Sequence, residues 1–157
     1  MVTIEKWPDL VRRIKAKEGF IPTAYEDAGG WSIGYGYHLT GRALPPAWME
    51  ATTHGHVSLT ETGATLLLQS ELLSTAREVL ARWPWMARLD DTRKIALMDM
   101  AYNLGVPRLS LFRRMLGALE QGDYETAADE ARASRWYNQV GRRAVEVVHM
   151  IRTGEEL

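Results

Sequence analysis

The 157-residue sequence contains no cysteine, no long apolar run and no excess of charge of either sign. Without cysteine, neither a disulfide framework nor a thiolate metal site can form. No run of about eighteen apolar residues occurs, so the sequence predicts no membrane-spanning helix and no stable membrane association. The formal net charge of −1 argues against nucleic acid as a partner, because proteins that bind it usually present a basic surface. The N-terminal segment lacks the apolar core of a secretory signal, so we expect none.

What the sequence does contain is typical of a globular chain. Apolar residues make up 46% and charged residues 25%, and the length is sufficient to bury a core.

The N-terminal part of the sequence mixes helical and strand patterns. Apolar spacing predicts a helix over about 8–17, and Gly19 marks its end. Glycines alternating with aromatic residues over 21–39 predict a small antiparallel sheet. Residues 40–57, rich in proline, glycine, threonine and histidine, predict a loop with one helical turn near Trp48.

The rest of the sequence is helical in pattern. Thr60 is suited to cap a long helix over 61–82. Asp90 or Asp91 is suited to cap a second helix that ends at Leu104, before a glycine. Three further helices are predicted at about 110–119, 122–133 and 142–152.

This order of elements predicts a single α+β domain over 1–157. It would consist of a small mixed lobe over about 1–60, a connecting helix over 61–82 and a larger helical lobe over 83–157. A cleft between two lobes is where a polymeric substrate would bind.

Two acidic residues, Glu18 and Asp27, could carry chemistry. Glu18 closes the first helix, Asp27 enters the glycine-rich hairpin nine residues later, and Ser32 follows. Cleavage of a glycosidic bond needs two carboxyl groups, one as acid and one as base or charge stabiliser. The spacing alone leaves open that both are solvated surface charges, since such pairs occur in most proteins.

Three blocks of sequence resemble a known family. Residues 18–36 carry Glu-Gly, then Tyr-Glu-Asp, then Trp-Ser-Ile-Gly-Tyr-Gly. Residues 96–105 read ALMDMAYNLG, and 134–139 read SRWYNQ, followed by Arg-Arg-Ala at 142–144 and Arg-Thr-Gly at 152–154. These blocks resemble the phage-type lysozymes, glycoside hydrolase family 24, in family order over nearly the whole chain. The resemblance implies a lysozyme-like α+β fold.

The resemblance also implies a catalytic triad. Glu18 would be the general acid, Asp27 the base or stabilising charge, and Ser32 the residue that holds the attacking water. The sequence departs from the family pattern in two places. Ser32 stands where the family usually has threonine, one residue closer to Asp27, and Tyr37 is added before His38. A one-residue change reverses which face of a strand a side chain occupies, so we expect a hairpin of altered register.

The same blocks provide candidates for substrate binding. Asn103 would hydrogen-bond an N-acetyl group or a sugar hydroxyl. Tyr102 would stack on a sugar ring, although packing in the core is an equal alternative. Arg135 would meet lactyl or peptide carboxylates, because arginine favours forked carboxylate contacts. The alternative is that Arg135 is an ordinary surface residue.

Supporting roles are expected for Arg143 and His38. Arg143 would stabilise the junction of the lobes or contact Glu18 from behind, and His38 would be a structural hydrogen-bonding residue near the hairpin. His54 and His56 could share a metal ion, but no third ligand stands at a matching spacing. We therefore expect no metal, and the resemblance implies a reaction without a cofactor.

The resemblance implies an endolysin that hydrolyses the β-1,4 bond between N-acetylmuramic acid and N-acetylglucosamine in peptidoglycan. The reaction would proceed with inversion at the anomeric carbon. The protein would be a monomer made in the host cytoplasm, and a holin would release it to the periplasm at lysis. Two alternatives stay open: a lytic transglycosylase acting on the same bond, and a degenerate lysozyme fold that binds glycan or protein without turnover.

Overall fold

The structure of the chain is a computed structural model. It describes residues 7–27, 30–39, 49–51 and 57–157, with the backbone alone at positions 27, 50, 51 and 57. The elements in chain order are α1 (Trp7–Glu18), β1 (Ile21–Asp27), β2 (Gly30–Gly34), β3 (Tyr37–His38), β4 (Met49–Ala51), β5 (Val57–Leu59), α2 (Glu61–Arg82), a 3-10 helix (Pro84–Arg88), α3 (Asp91–Leu104), α4 (Val106–Leu109), α5 (Arg113–Glu120), α6 (Tyr124–Arg132), α7 (Arg135–Val140) and α8 (Arg142–Thr153). Every described strand precedes α2, which confirms the predicted α+β class.

The chain folds as two compact units. The small unit is Val11–Leu73, and the helical unit is Ser74–Leu157 together with the chain up to Leu10. The boundaries between them fall inside α1 and inside α2, so each of these helices contributes residues to both units.

The small unit contains two sheets. Strands β1, β2 and β3 form an antiparallel sheet in that order, and β4 pairs with β5 in a second one. Ser32 on β2 lies opposite Tyr25 on β1 and opposite His38 on β3. Directly opposite residues share a face of the sheet, so these three side chains project to the same side.

The prediction of a loop over 40–57 is wrong where the structure describes that segment. Met49–Ala51 is a strand, and it pairs with Val57–Leu59. A strand of three residues is too short for its pattern to be recognised, and its pairing partner rather than its own sequence specifies it. The helical turn expected near Trp48 lies outside the described residues.

The core of the small unit brings the sheet close to the start of α2. A side chain on Gly34 would begin 3.0 Å from Leu59 Cδ2 and 3.3 Å from the Ala64 Cβ, so only glycine allows this approach. The buried apolar side chains here are Val11, Ile14, Ile33, Leu59, Ala64, Leu67, Leu68 and Leu72. This packing fixes the end of β2, and with it the turn that follows.

The two long helices begin where the sequence predicts. The Thr60 hydroxyl accepts a hydrogen bond of 3.0 Å from the backbone N–H of Gly63, and α2 covers Glu61–Arg82 as expected. Asp90 caps α3 by accepting from the backbone N–H of Arg93 at 3.0 Å. The longest described helix is α2, and within the described residues no helix combines the length and apolar character needed to cross a membrane.

The helical unit is built around α3, most of whose residues are buried. α3 packs against α8, α8 against α6, and α6 against α5. The sequence predicts α5, α6 and α8 with their ends shifted by at most three residues. The 3-10 helix, α4 and α7 are not predicted, because elements of four to six residues show little periodicity.

A buried arginine joins three helices of this unit. The Nε of Arg93 donates to the carbonyl of Ile151 at 2.7 Å, and its Nη2 donates to the carbonyl of Arg152 at 3.1 Å. Its Nη1 contacts Asp90 Oδ2 at 2.8 Å, and the guanidinium lies 3.5 Å from the centre of the Tyr124 ring. Carbonyls at the end of a helix have no partner within the helix, so Arg93 satisfies the last turn of α8.

Candidate active site

Glu18 is the last residue of α1, and its side chain is half-buried. A Cβ built on Gly36 would lie 3.2 Å from Glu18 Oε2. The backbone of the turn between β2 and β3 therefore lies directly against this carboxyl group. Gly36 also has a φ of 75°, which other residues adopt only under strain, so glycine is favoured here on two grounds.

Asp27 is the last residue of β1, and its backbone pairs with Gly30. Its side chain lies outside the described part of the structure. An inverting glycosidase needs about 6.5–9.5 Å between its two carboxyl groups, and this separation stays a prediction for Glu18 and Asp27.

Ser32 is fully buried in β2. Its hydroxyl oxygen lies 3.1 Å from the Nδ1 atom of His38, which is exposed on β3. Tyr37 lies opposite Ile33 in the same register, so the added residue moves the histidine to the position opposite Ser32. The structure thus brings Ser32 and His38 together.

Tyr35 anchors the turn that contacts Glu18. Its hydroxyl donates to Glu61 Oε1 on α2 at 3.3 Å, its ring centre lies 5.6 Å from that of Phe20, and Lys15 Nζ lies 5.4 Å from the ring centre. Burial, reinforced by the Glu61 carboxylate, raises the pKa of Tyr35 above its usual value of 10.0. The neutral hydroxyl therefore persists as a donor and holds the turn to α2.

Asn103, in the helical unit, is already engaged. Trp136 Nε1 donates to Asn103 Oδ1 at 2.9 Å, and the Trp136 ring packs edge-on against Phe112 at 6.3 Å. Trp136 is buried, whereas Asn103 is exposed. The amide oxygen of Asn103 is committed to this contact, which leaves its NH₂ group as the donor suited to an acetyl or hydroxyl oxygen.

The other two candidates for substrate binding differ in exposure. Tyr102 is half-buried on α3, and Arg135 is exposed as the first residue of α7. Ser134 caps that helix by accepting from the backbone N–H of Tyr137 at 3.2 Å. Their roles in substrate binding stay predictions.

Arg143 has a partner that the sequence does not predict. Its Nε and Nη2 atoms lie 2.7 Å and 2.5 Å from Asp99 Oδ1, and Asp99 is fully buried. Asp99 interrupts an otherwise apolar stretch of α3, and a buried carboxylate needs such a partner. That interruption is the signal from which the pair could have been predicted. A contact of Arg143 with Glu18 stays a prediction.

Metal binding finds no support in the part of the chain that is described. Among those residues, no group of three or more histidine, aspartate or glutamate side chains could hold a metal ion. His54 and His56 lie outside the described residues.

The family model of the phage lysozymes matches residues 15–152. The chain belongs to the phage lysozyme family. The matched range includes every residue assigned above to catalysis, substrate binding or support. Membership of the family supports a lysozyme-type glycan hydrolase.

Individual relatives of this phage lysozyme family member cover different shares of the chain. It is 26% identical over 156 residues to "Probable T4-type lysozyme 1" of Dictyostelium discoideum, across 90% of this chain and 92% of that protein. "Probable T4-type lysozyme 2" of the same organism is 33% identical over 66 residues, across 42% of this chain and 39% of that protein. "Pre-baseplate central spike protein Gp5" of Enterobacteria phage T4 is 34% identical over 100 residues, which is 62% of this chain and 17% of the spike protein. The match therefore spans only a small part of the spike protein.

Proposed function

We propose that this phage lysozyme family member hydrolyses the β-1,4 bond between N-acetylmuramic acid and N-acetylglucosamine in bacterial peptidoglycan. The observation that carries the proposal is the position of Glu18. Its half-buried carboxyl group ends α1 and lies against the backbone at Gly36, in a segment that matches the family. The names of the two Dictyostelium relatives, both called T4-type lysozymes, support the same assignment.

In the proposed reaction, Glu18 donates its proton to the glycosidic oxygen as the bond to the anomeric carbon breaks. Asp27 accepts a proton from a water molecule, and the oxygen of that water forms the new bond on the opposite face of the sugar. The family resemblance assigns the holding of this water to Ser32, whose side chain is fully buried in the structure. One water is consumed, the anomeric configuration inverts, and no cofactor takes part.

Three residues of the helical unit would bind the substrate. The Asn103 amide would donate to an acetyl or hydroxyl oxygen, and Tyr102 would stack on a sugar ring. Arg135, which is exposed, would bind a lactyl or peptide carboxylate.

The experiment is product analysis on purified peptidoglycan with wild-type protein, Glu18→Gln and Asp27→Asn. We expect each substitution to lower the rate by about 10²–10⁴-fold, the range typical of general acid and base groups. Glu26→Gln is the matched control, because Glu26 is an exposed acid on the same strand, next to Asp27.

The products separate the alternatives by mass. A hydrolase adds one water at each cleaved bond, whereas a lytic transglycosylase forms a 1,6-anhydro end and adds none. Binding to peptidoglycan without any cleavage by the wild-type protein would favour the degenerate lysozyme fold. Full activity of Glu18→Gln would contradict the proposed role of Glu18.

We also propose that the protein is an endolysin that acts as a monomer and reaches the periplasm through a holin. Membership of the phage lysozyme family supports this role. Induction in a bacterial cytoplasm should cause lysis only when a holin is expressed with it. Rapid lysis without the holin would contradict this route, and sedimentation equilibrium would test the monomer.

A further inference from the structure

The turn that lies against Glu18 reads Gly34-Tyr35-Gly36, and Tyr35 supplies its only side chain. Both glycines have a positive φ, of 67° and 75°. Glycine loses more conformational freedom on folding than any other residue, so a turn with glycine on both sides of one residue does not hold its own conformation. Contacts with the rest of the small unit must therefore fix it.

The ring of Tyr35 contacts residues on both sides of Glu18 in the sequence. Lys15 Nζ, one turn earlier on α1, lies 5.4 Å from the centre of the ring. The Phe20 ring, two residues after Glu18, lies 5.6 Å away at an interplanar angle of 40°. Both geometries are attractive, one as a cation over a ring and the other as a tilted aromatic pair. The buried ring thus joins the turn to the segment that carries Glu18.

The hydroxyl of Tyr35 joins the same turn to α2. It donates to Glu61 Oε1 at 3.3 Å, and Glu61 is the first residue of that helix. A carboxylate is favoured at the start of a helix, and a charged acceptor makes a stronger hydrogen bond than a neutral one. The ring and the hydroxyl therefore connect the turn with two different helices.

The carboxyl group of Glu18 lies where these connections meet. A Cβ on Gly36 would lie 3.2 Å from Glu18 Oε2 and 3.7 Å from its Cδ, so any shift of the turn changes the space that the carboxyl group occupies. We propose that Tyr35 is a positioning residue for Glu18, because its bond to Glu61 and its ring contacts hold the turn where this carboxyl group reaches the glycosidic oxygen. The inference rests on the proposed hydrolase function.

The main test compares Tyr35→Phe, Glu61→Ala and Glu61→Gln, measured as kcat and KM on soluble, uncross-linked glycan strands of peptidoglycan. Phenylalanine keeps the ring and loses the hydroxyl, alanine removes the acceptor, and glutamine keeps an acceptor oxygen. A misplacement of about 1 Å can lower a rate by about 10²-fold, so a shift of a few tenths of an ångström should lower kcat by roughly three- to tenfold. We expect this loss for Tyr35→Phe and Glu61→Ala, with KM changed by less than about twofold.

Glu61→Gln is the conservative variant of the pair. Because its amide oxygen can accept from the Tyr35 hydroxyl, it should keep at least about half of the wild-type kcat. A loss as large as that of Glu61→Ala would overturn the inference, since the negative charge and not the hydrogen bond would then matter.

A double-mutant cycle tests whether Tyr35 and Glu61 act through their mutual hydrogen bond. If they do, combining Tyr35→Phe with Glu61→Ala should lower kcat by no more than about twofold beyond either single variant. Losses that multiply would show that the two residues act separately, and would overturn the inference.

Tyr35→Leu removes the ring as well, and Tyr124→Leu is its matched control. The Tyr124 ring also contacts a cation, with the Arg93 guanidinium 3.5 Å from its centre, but it lies on α6 in the helical unit. We expect both leucine variants to be less stable in urea, and only Tyr35→Leu to lose kcat, by at least about tenfold. Similar losses of kcat in the two variants would contradict the proposed role.

A purely structural role of Tyr35 would lower stability and leave kcat unchanged. Each variant is therefore unfolded in urea, and its activity is measured at a temperature where it is folded. A Tyr35→Phe variant that is less stable but keeps the wild-type kcat would overturn the inference. If Tyr35→Leu does not fold, the comparison of Tyr35→Phe with Glu61→Gln decides.

The outcomes separate this inference from the proposed function. No hydrolysis by the wild-type protein would refute the function itself. Hydrolysis that Glu18→Gln abolishes, together with a Tyr35→Phe variant as active as wild type, would refute the role of Tyr35 alone.

Discussion

Two glycines with nearly the same φ lie in different surroundings, and they allow the position of Glu18 to be tested. Gly36 has a φ of 75° and Gly122 a φ of 76°. A Cβ on Gly36 would lie 3.2 Å from Glu18 Oε2, whereas a Cβ on Gly122 would meet nothing within 4 Å. Because φ is positive at both positions, alanine strains the backbone at either one, but only Gly36→Ala presses on the carboxyl group.

The expected magnitudes follow from this difference. The left-handed conformation costs about 1–2 kcal/mol for a residue with a Cβ, so both variants should lose about that much unfolding free energy. At Gly36 the carboxyl group of Glu18 must also move by a few tenths of an ångström. A misplacement of about 1 Å can lower a rate by about 10²-fold, so we expect a roughly tenfold lower kcat for Gly36→Ala and less than about a twofold change for Gly122→Ala.

The assay combines urea unfolding with the rate of reducing-end release from purified peptidoglycan, both at a temperature where each variant is folded. Equal stability with unequal kcat is the expected pattern. The reasoning would be refuted if Gly36→Ala kept full activity at the expected stability. It would also be refuted if Gly122→Ala lost as much activity as Gly36→Ala.

Two further predictions concern stability. Near neutral pH, Tyr35→Phe should unfold at a lower urea concentration than wild type. The expected loss of unfolding free energy is about 0.5–1.5 kcal/mol, because the hydrogen bond to Glu61 is lost. The raised pKa of folded Tyr35 gives stability that is fully present below pH 10.0 and is lost as the pH rises through the folded-state pKa. Wild type should therefore lose more stability than Tyr35→Phe as the pH rises above 10.0. An equal loss in both proteins would contradict this. Arg93→Met should lower the unfolding free energy by about 3 kcal/mol, because it leaves two carbonyls at the end of α8 without their donor. Arg152→Met, which breaks ion pairs with two exposed carboxylates, should lower the unfolding free energy by less than about 1 kcal/mol. Similar losses for the two arginine variants would refute the stabilising role of Arg93 at the end of α8.

The parts of the fold that the sequence predicts are those with local causes. Thr60 and Asp90 begin their helices because a side chain accepts a hydrogen bond from a backbone N–H three residues away. Strand β4 is not predicted, because three residues carry too little pattern and the pairing with β5 comes from elsewhere in the chain.

The candidate site also combines features that follow from local sequence with features that depend on distant parts of the chain. The place of Glu18 at a helix end is local and follows from the sequence. The pairing of Arg143 with Asp99 joins residues 44 positions apart. The sequence indicates that Asp99 needs a partner, because it interrupts an apolar stretch, but it does not indicate which residue that partner is. The sequence predicts an altered hairpin register at Tyr37, but only the strand pairing shows that His38 lies opposite Ser32.

The three residues of the turn after β2 show why the position of the proposed acid depends on tertiary contacts. Gly34 packs against Leu59 and the start of α2, Tyr35 donates to α2, and Gly36 contacts Glu18. All of these contacts lie within the small unit, which also carries Asp27 and Ser32. Changes to this turn should therefore act mainly on the chemical step of the proposed reaction.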